Sequence, residues 1–329
     1  MNFIKKVFQN GPLYVGLFFI ISGISIAQEI DDFSVNKEIS GDAQNHKEKN
    51  TITYTVEKNQ KEIYSITNSL DYDAPVPEFI VFEDGAGVMV SSFDASLTFF
   101  DNLGEKIVKL KINKELKAIY ERSIYSAIDE NNLLIALSQP GLDYSLIQIY
   151  NEKGVLLNDW KIENEHVNGL QFAKSQNILA VSSYSWGSGS ISKNTQFFNR
   201  TGDLLQQSGN NFSSGSFVKN GEAFSGYRKH LYFLYDLTKK STAFEFISKN
   251  DIIITAEYKS DEIIIVTTEA PVLNNGNWYY INPTIKVFSK EGKEISSRNE
   301  KTQPFSSFSL EQKDDRIFFK TNTDMILVK

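Results

Sequence analysis

Three histidines, no cysteine and 41 acidic side chains are the groups in this 329-residue chain with the most obvious chemistry. Without cysteine there is no thiolate nucleophile, and no G-x-S-x-G turn presents an activated serine. His46 lies in a polar N-terminal stretch, and His230 precedes the strand-like run LYFLYD and reads as an edge residue. His166, in ENEHVNG, stands at a link between two strand-like runs and is grouped with the candidate ligand-binding residues. Scattered histidines and no thiolate do not make a zinc or copper site. No catalytic residue and no metal-ligand set is assigned. The paired acids Glu83-Asp84 and Asp314-Asp315 read as turn formers, because short polar side chains bond nearby backbone. A glycosidase-type carboxylate pair is recognised by separation in space rather than in sequence. A carbohydrate- or lactone-active hydrolase or lyase is therefore the alternative to a non-enzymatic reading.

Aromatic side chains in long connections form the other constellation. Three connections stand out: QPGLDYS at 139–145, YSWGSGSISKN at 184–194 and EAPVLNNGNWYYINP at 269–283. They carry Tyr144, Tyr184, Trp186, Trp278 and Tyr279, including two of the three tryptophans. Flat rigid rings on long loops suit sugar rings or partner side chains, since they offer area at low entropic cost. With His166, these five are the expected ligand-binding residues. The third tryptophan, Trp160, is expected to lie on an outer strand and to pack between neighbouring repeat units.

The elements that must position them repeat. An apolar run ends in an aromatic followed by a turn former at Phe100-Asp101, Tyr150-Asn151, Phe198-Asn199, Tyr235-Asp236 and Phe288-Ser289. Glycine follows within a few residues in four of these turns, at Gly104, Gly154, Gly202 and Gly292. A second strand-like run then begins, which is a hairpin pattern. Between these hairpins lies a second turn, marked by Asp84, Asn131, Gln176, Asn220, Asp261 and Asp314. The spacings are 47, 45, 44, 41 and 53 residues. Each marker precedes a more apolar run, such as IIIVTT or IFFKT. Two hairpins per 40–50 residues make about four strands per repeat, the period of a propeller blade. A two-layer sandwich rarely keeps so steady a repeat.

On these repeats, residues 51–329 resemble the broad β-propeller class, most nearly the degenerate six-bladed propellers of the bacterial envelope. The Gly-His and Trp-Asp pairs of WD40 repeats, the kelch double glycine and the sialidase box are absent, so no subfamily is implied. The resemblance implies an all-β fold of six blades, or seven if 52–66 forms a hairpin of its own blade. It also implies closure by pairing N- and C-terminal strands, with ITYTV or EIYSI supplying the missing outer strand of the last blade. In such a fold the three aromatic connections share one face. A Ca²⁺ ion in the central channel, needing only oxygen ligands, stays open; no other cofactor is expected.

The N-terminus reads as a cleaved signal peptide over 1–27. Lys5 and Lys6 precede an apolar run at 13–26, and Ser25-Ile26-Ala27 offers small residues for cleavage after Ala27. Residues 28–50 are polar and read as a flexible linker. Removing 1–27 takes away two lysines and no acid, so the net charge moves from −7 to −9. Such a surface disfavours nucleic acid, and the apolar run is short for a stable membrane span. The expectation is a periplasmic or secreted binding or scaffold protein with a protein or carbohydrate ligand.

Overall fold

The computed structural model describes residues 33–40, 50–70, 76–91, 96–111, 125–129, 134–140, 144–173, 177–187, 190–274, 277–313 and 316–329. The signal segment 1–27 and the turns at Asn131, Gln176 and Asp314-Asp315 lie outside these residues. The described elements are β-strands, apart from one 3₁₀ turn at Lys219–Gly221. No helix among them is long and apolar enough to cross a membrane.

The strands form an N-terminal sheet and then six blades of a β-propeller fold. The N-terminal sheet has the order β1 (Phe33–Ser40), β2 (Asn50–Lys58), β3 (Lys61–Leu70). Blade 1 is β4 (Glu78–Val81), β5 (Gly87–Ser91), β6 (Ser96–Phe100) and β7 (Lys106–Lys111). Blade 2 is β8 (Tyr125–Asp129), β9 (Leu134–Pro140), β10 (Tyr144–Tyr150) and β11 (Leu156–Glu163). Blade 3 is β12 (His166–Phe172), β13 (Ile178–Gly187), β14 (Ser190–Asn199) and β15 (Leu204–Ser208). Blade 4 is β16 (Ser214–Val218), β17 (Ala223–Arg228), β18 (Leu231–Asp236) and β19 (Ser241–Ile247). In blade 5 a small hairpin, β22 (Val272–Asn274) and β23 (Asn277–Tyr279), interrupts the order. The blade itself is β20 (Ile252–Lys259), β21 (Glu262–Thr268), β24 (Thr284–Ser289) and β25 (Glu294–Asn299). Blade 6 has three strands, β26 (Phe308–Lys313), β27 (Arg316–Thr321) and β28 (Met325–Leu327).

One expectation about the N-terminal end is corrected, that of the linker. Among the described residues ITYTV and EIYSI pair with each other as β2 and β3, and blade 6 is a sheet of three strands. The segment Phe33–Ser40, which composition assigns to the linker, is a strand paired along its whole length with β2. Its apolar residues are few but placed at period two. Phe33 and Val35 pack on the cluster of Ile52, Tyr54, Val56, Tyr64 and Phe79. Composition averaged over 23 residues hides an eight-residue strand that needs only two apolar anchors.

The chain divides into two compact units. One comprises Met1–Ile124, Glu130–Gln139 and Gln148–Leu157; the other comprises Tyr125–Asp129, Pro140–Ile147 and Asn158–Lys329. In the first, β2 and β3 alternate strictly, with Ile52, Tyr54, Val56 and Ile66 inward and Thr53, Thr55, Ser65 and Thr67 outward. In the second, β18 and β21 are buried on both faces, as their unbroken apolar runs require. Buried apolar side chains contribute about 1.5–3 kcal/mol each. Blade 5 and blade 6 share a core of Ile264, Val266, Phe305, Leu310, Ile317 and Phe319.

The turns use the chemistry their residues promise. Asp101 Oδ1 accepts the N–H groups of Leu103 (2.9 Å) and Glu105 (2.8 Å). Asn151, Asn199 and Ser289 repeat this two-bond clasp in blades 2, 3 and 5. Asp84 Oδ1 likewise accepts from Ala86 N–H at 2.9 Å. Gly104 has φ +79°, and a β-carbon there would stand 2.7 Å from the Tyr64 ring. Trp160 fills the equivalent place over Gly202 in the second unit, 5.5 Å from Phe198 between ring centroids. It packs against the neighbouring blade, as expected.

Candidate functional site

The connection between the second and third strands of blade 3 is an extension of the strands themselves. β13 pairs with β14 over ten residue pairs, from Ile178↔Asn199 to Gly187↔Ser190. Its flanking strands stop earlier: β12 last meets β13 at His166↔Tyr184, and β15 last meets β14 at Thr195↔Ser208. Beyond those pairs no described strand flanks the hairpin, which runs on for about 10 Å at about 3.3 Å per residue.

Side chains alternate across this hairpin. Tyr184 and Trp186 share one face, and His166 joins them by register. The His166 and Tyr184 rings lie 5.5 Å apart, and Tyr184 and Trp186 meet edge-on at 6.3 Å. Three expected residues thus form one continuous aromatic run from the blade to the hairpin tip. Trp186 is 69% exposed and stands opposite Ile191, also exposed. Ser182, on the same face but fully buried, accepts the Phe212 N–H at 2.9 Å and anchors the strand below the run.

The opposite face of the hairpin root is polar. Ser183 and Asn194 are register partners. Glu165, in the link just before His166, reaches them: its carboxylate accepts from the Ser183 hydroxyl, from Asn194 Nδ2 at 3.3 Å and from Gln196 Nε2 at 3.4 Å. Its backbone carbonyl accepts from the Ser145 hydroxyl at 2.9 Å, and Ser145 in turn accepts the Val167 N–H. Asn164, with φ +56°, makes the sharp turn that aims Glu165. Sequence reasoning did not single out Glu165. A lone acid in a link carries no pattern, and its partners lie 18 to 31 residues away.

The remaining expected residues stand elsewhere. Tyr144, half-buried on β10, is covered by this chain's own Lys161, whose ammonium lies 4.0 Å from the ring centroid. Trp278 and Tyr279 are half-buried on the blade 5 hairpin, opposite exposed Leu273 and Val272. That hairpin is tied at its base by Tyr280, which bridges Phe305 through two backbone hydrogen bonds of 2.8 and 3.0 Å. Among the described residues no ring contact joins the blade 3 run to Tyr144, Trp278 or Tyr279. His230 is structural: its Nδ1 lies 2.8 Å from the Asp251 carbonyl.

A separate groove of about 790 Å³ lies at the other end of blades 4 and 5, lined by Phe217, Val218, Lys219, Tyr258 and Asp261. Tyr258 donates to Asp261 at 2.8 Å. Burial and this carboxylate raise the Tyr258 phenol well above its ordinary value. None of the expected residues lines the groove.

No family model matches the chain, and no curated protein matches it either. Among solved structures it is similar to Sqt1 of Saccharomyces cerevisiae, at 13% identity and TM-score 0.58, covering 91% of this chain and 82% of that one. It is similar to the WD40 domain of Neurospora crassa Pan2, at 10% identity and TM-score 0.52, covering 85% and 84%. It is also similar to hydrazine synthase of Kuenenia stuttgartiensis, at 9% identity and TM-score 0.53, covering 75% and 74%. Likeness at such low identity concerns the β-propeller fold alone, and the WD40 sequence pairs are absent from this chain.

Proposed function

We propose that this is an exported, non-enzymatic binding or scaffold propeller whose blade 3 hairpin docks a protein partner. The observation that carries this reading is the run His166–Tyr184–Trp186, which ends in a tryptophan more than two-thirds exposed on a projecting hairpin. Leaving so large an apolar ring in water is unfavourable unless a partner covers it. The aliphatic neighbour Ile191, and the exposed Val272 and Leu273 on the blade 5 hairpin, favour protein over sugar. Aliphatic groups add burial against a protein but neither stack on a sugar nor bond its hydroxyls. Export rests on the signal-like residues 1–27, and the net acidic surface supports a partner other than nucleic acid.

The test is capture of envelope proteins by the full chain and by a Trp186→Ala/Trp278→Ala variant, alongside a glycan array. Discrete partners lost in the variant, with its melting temperature within a few degrees of the parent, support the reading. Equal capture by both proteins refutes the proposed face, and array binding in place of protein capture assigns a carbohydrate ligand.

A further inference from the structure

We infer that the outer edge of β14, from Ile191 to Asn194, takes up an extended acidic segment of the partner as an added strand, laid beside the Tyr184–Trp186 face. This rests on the reading of the blade 3 hairpin as a docking element and names the chemistry of what docks.

Three observations combine. First, the edge is open. Among the described residues β15 last meets β14 at Thr195↔Ser208, and no strand pairs with the outer side of β14 from there to the tip. Gly187 and Ser190 pair across a two-residue turn. Backbone groups alternate in direction along an antiparallel strand, so those of Ile191 and Lys193 turn outward, as those of Thr195 turn to β15. A row of outward N–H and C=O groups is a template for another strand.

Second, the side chains beside that edge form a surface. Ile191 and Lys193 share one face with their register partners Trp186 and Tyr184, and Ile191, Lys193 and Trp186 are exposed. An added strand sets alternate side chains over this face, where an apolar one meets Ile191 and Trp186.

Third, the charge is one-sided. About one residue in eight of the whole chain is acidic, yet residues 166–202 hold no Asp or Glu. Arg200 is taken by Asp129, whereas Lys193 makes no ion pair with a described acid. The acids that bound the stretch are engaged. Glu165 holds its carboxylate to the opposite face among Ser183, Asn194 and Gln196, and Asp203, at the far end of β14, accepts from Asn199 and Thr201. On the blade 4 side, Glu245 accepts from Asn210 Nδ2 at 3.0 Å. Lys193 is left as the unpaired charge of the face, and an acid on the partner complements it. Edge-to-edge pairing of two copies brings their Lys193 ammoniums onto one ribbon, which disfavours a second copy as the occupant.

The experiment pans a library of random peptides, each about twelve residues long so as to cover the edge and both flanks, on the full chain. Enriched peptides are synthesised and measured by fluorescence anisotropy against the parent, Trp186→Ala, Lys193→Gln and Lys193→Glu, with circular dichroism melts to show that each variant is folded. Support comes from peptides rich in Asp or Glu with alternating apolar residues, bound about tenfold more weakly by Lys193→Glu and to an intermediate degree by Lys193→Gln, that slow hydrogen exchange of the Ile191 and Lys193 amides. Basic or proline-rich peptides, no enrichment, or equal binding by the parent and folded Lys193→Glu overturn the inference. Loss in Trp186→Ala with no change in Lys193→Glu removes the acidic strand and leaves the hairpin as the docking element. Binding that neither change affects removes the docking reading as well.

Discussion

Replacing Gly104 by alanine tests the packing rule that joins the N-terminal sheet to blade 1. Two costs meet at this residue. Its φ of +79° is a left-handed conformation that an L side chain adopts at about 1–2 kcal/mol. The new β-carbon would also lie 2.7, 2.8 and 3.0 Å from Cδ2, Cγ and Cβ of Tyr64. The ring has little freedom to retreat, because its hydroxyl donates to the Gly85 carbonyl at 2.8 Å and the side chain is buried in the sheet core. Overpacking of this kind costs about 1–3 kcal/mol. Together they give a loss of about 2–5 kcal/mol, read as a lower urea midpoint at unchanged m value. Gly209→Ala is the control: nothing lies within 4 Å of its added carbon and its φ is not positive, so its effect should be neutral or slightly stabilising. In a Tyr64→Ala background the ring contacts at 2.7 and 2.8 Å disappear and only the 3.0 Å approach to the retained Cβ is left, so Gly104→Ala should cost less than in the parent, about 1–3 kcal/mol. A Gly104→Ala midpoint equal to the parent's, or an identical cost in both backgrounds, would refute the reasoning.

Buried charges and phenols lead to further outcomes. Arg200→Met should destabilise by about 3 kcal/mol in urea titration, because it takes the guanidinium from Asp129, a carboxylate only 1% exposed. Tyr54, Tyr64 and Tyr232 are held well above the ordinary phenol value, chiefly by burial. Their raised values stabilise the fold fully below about pH 10, the unfolded phenol value, and that contribution is lost as pH rises beyond it. Absorbance at 295 nm should therefore show a class of tyrosines that ionises only together with unfolding. At the acid end, Asp203 is held low by Asn199 and Thr201, and Asp236 by the Lys239 backbone N–H. Their contribution is present above about pH 4 and lost below it, so the melting temperature should begin to fall there.

The repeat, and with it the fold class, was legible because its signals are local. A turn former followed by glycine specifies a hairpin from within five residues, and the clasps at Asp101, Asn151, Asn199 and Ser289 are the bonds those residue types make. Runs such as IIIVTT were legible as the more apolar strand of each repeat, and β21 proves to be buried on both faces. The strand at 33–40 was not legible, because two anchors in a polar stretch do not outweigh its composition.

The candidate site divides along the same line. Tyr184 and Trp186 were legible as ring types on a long connection, which pointed to binding; that they share one face follows from β13 and β14 continuing through that connection. Their partnership with His166 required the β12–β13 register, which is a long-range pairing. So did the gathering of Ser145, Ser183, Asn194 and Gln196 around Glu165. Turn chemistry and alternation act through bonds between near neighbours and are written in the residues themselves. Which side chains converge from four strands depends on register and pleat, which are settled only when the strands pack.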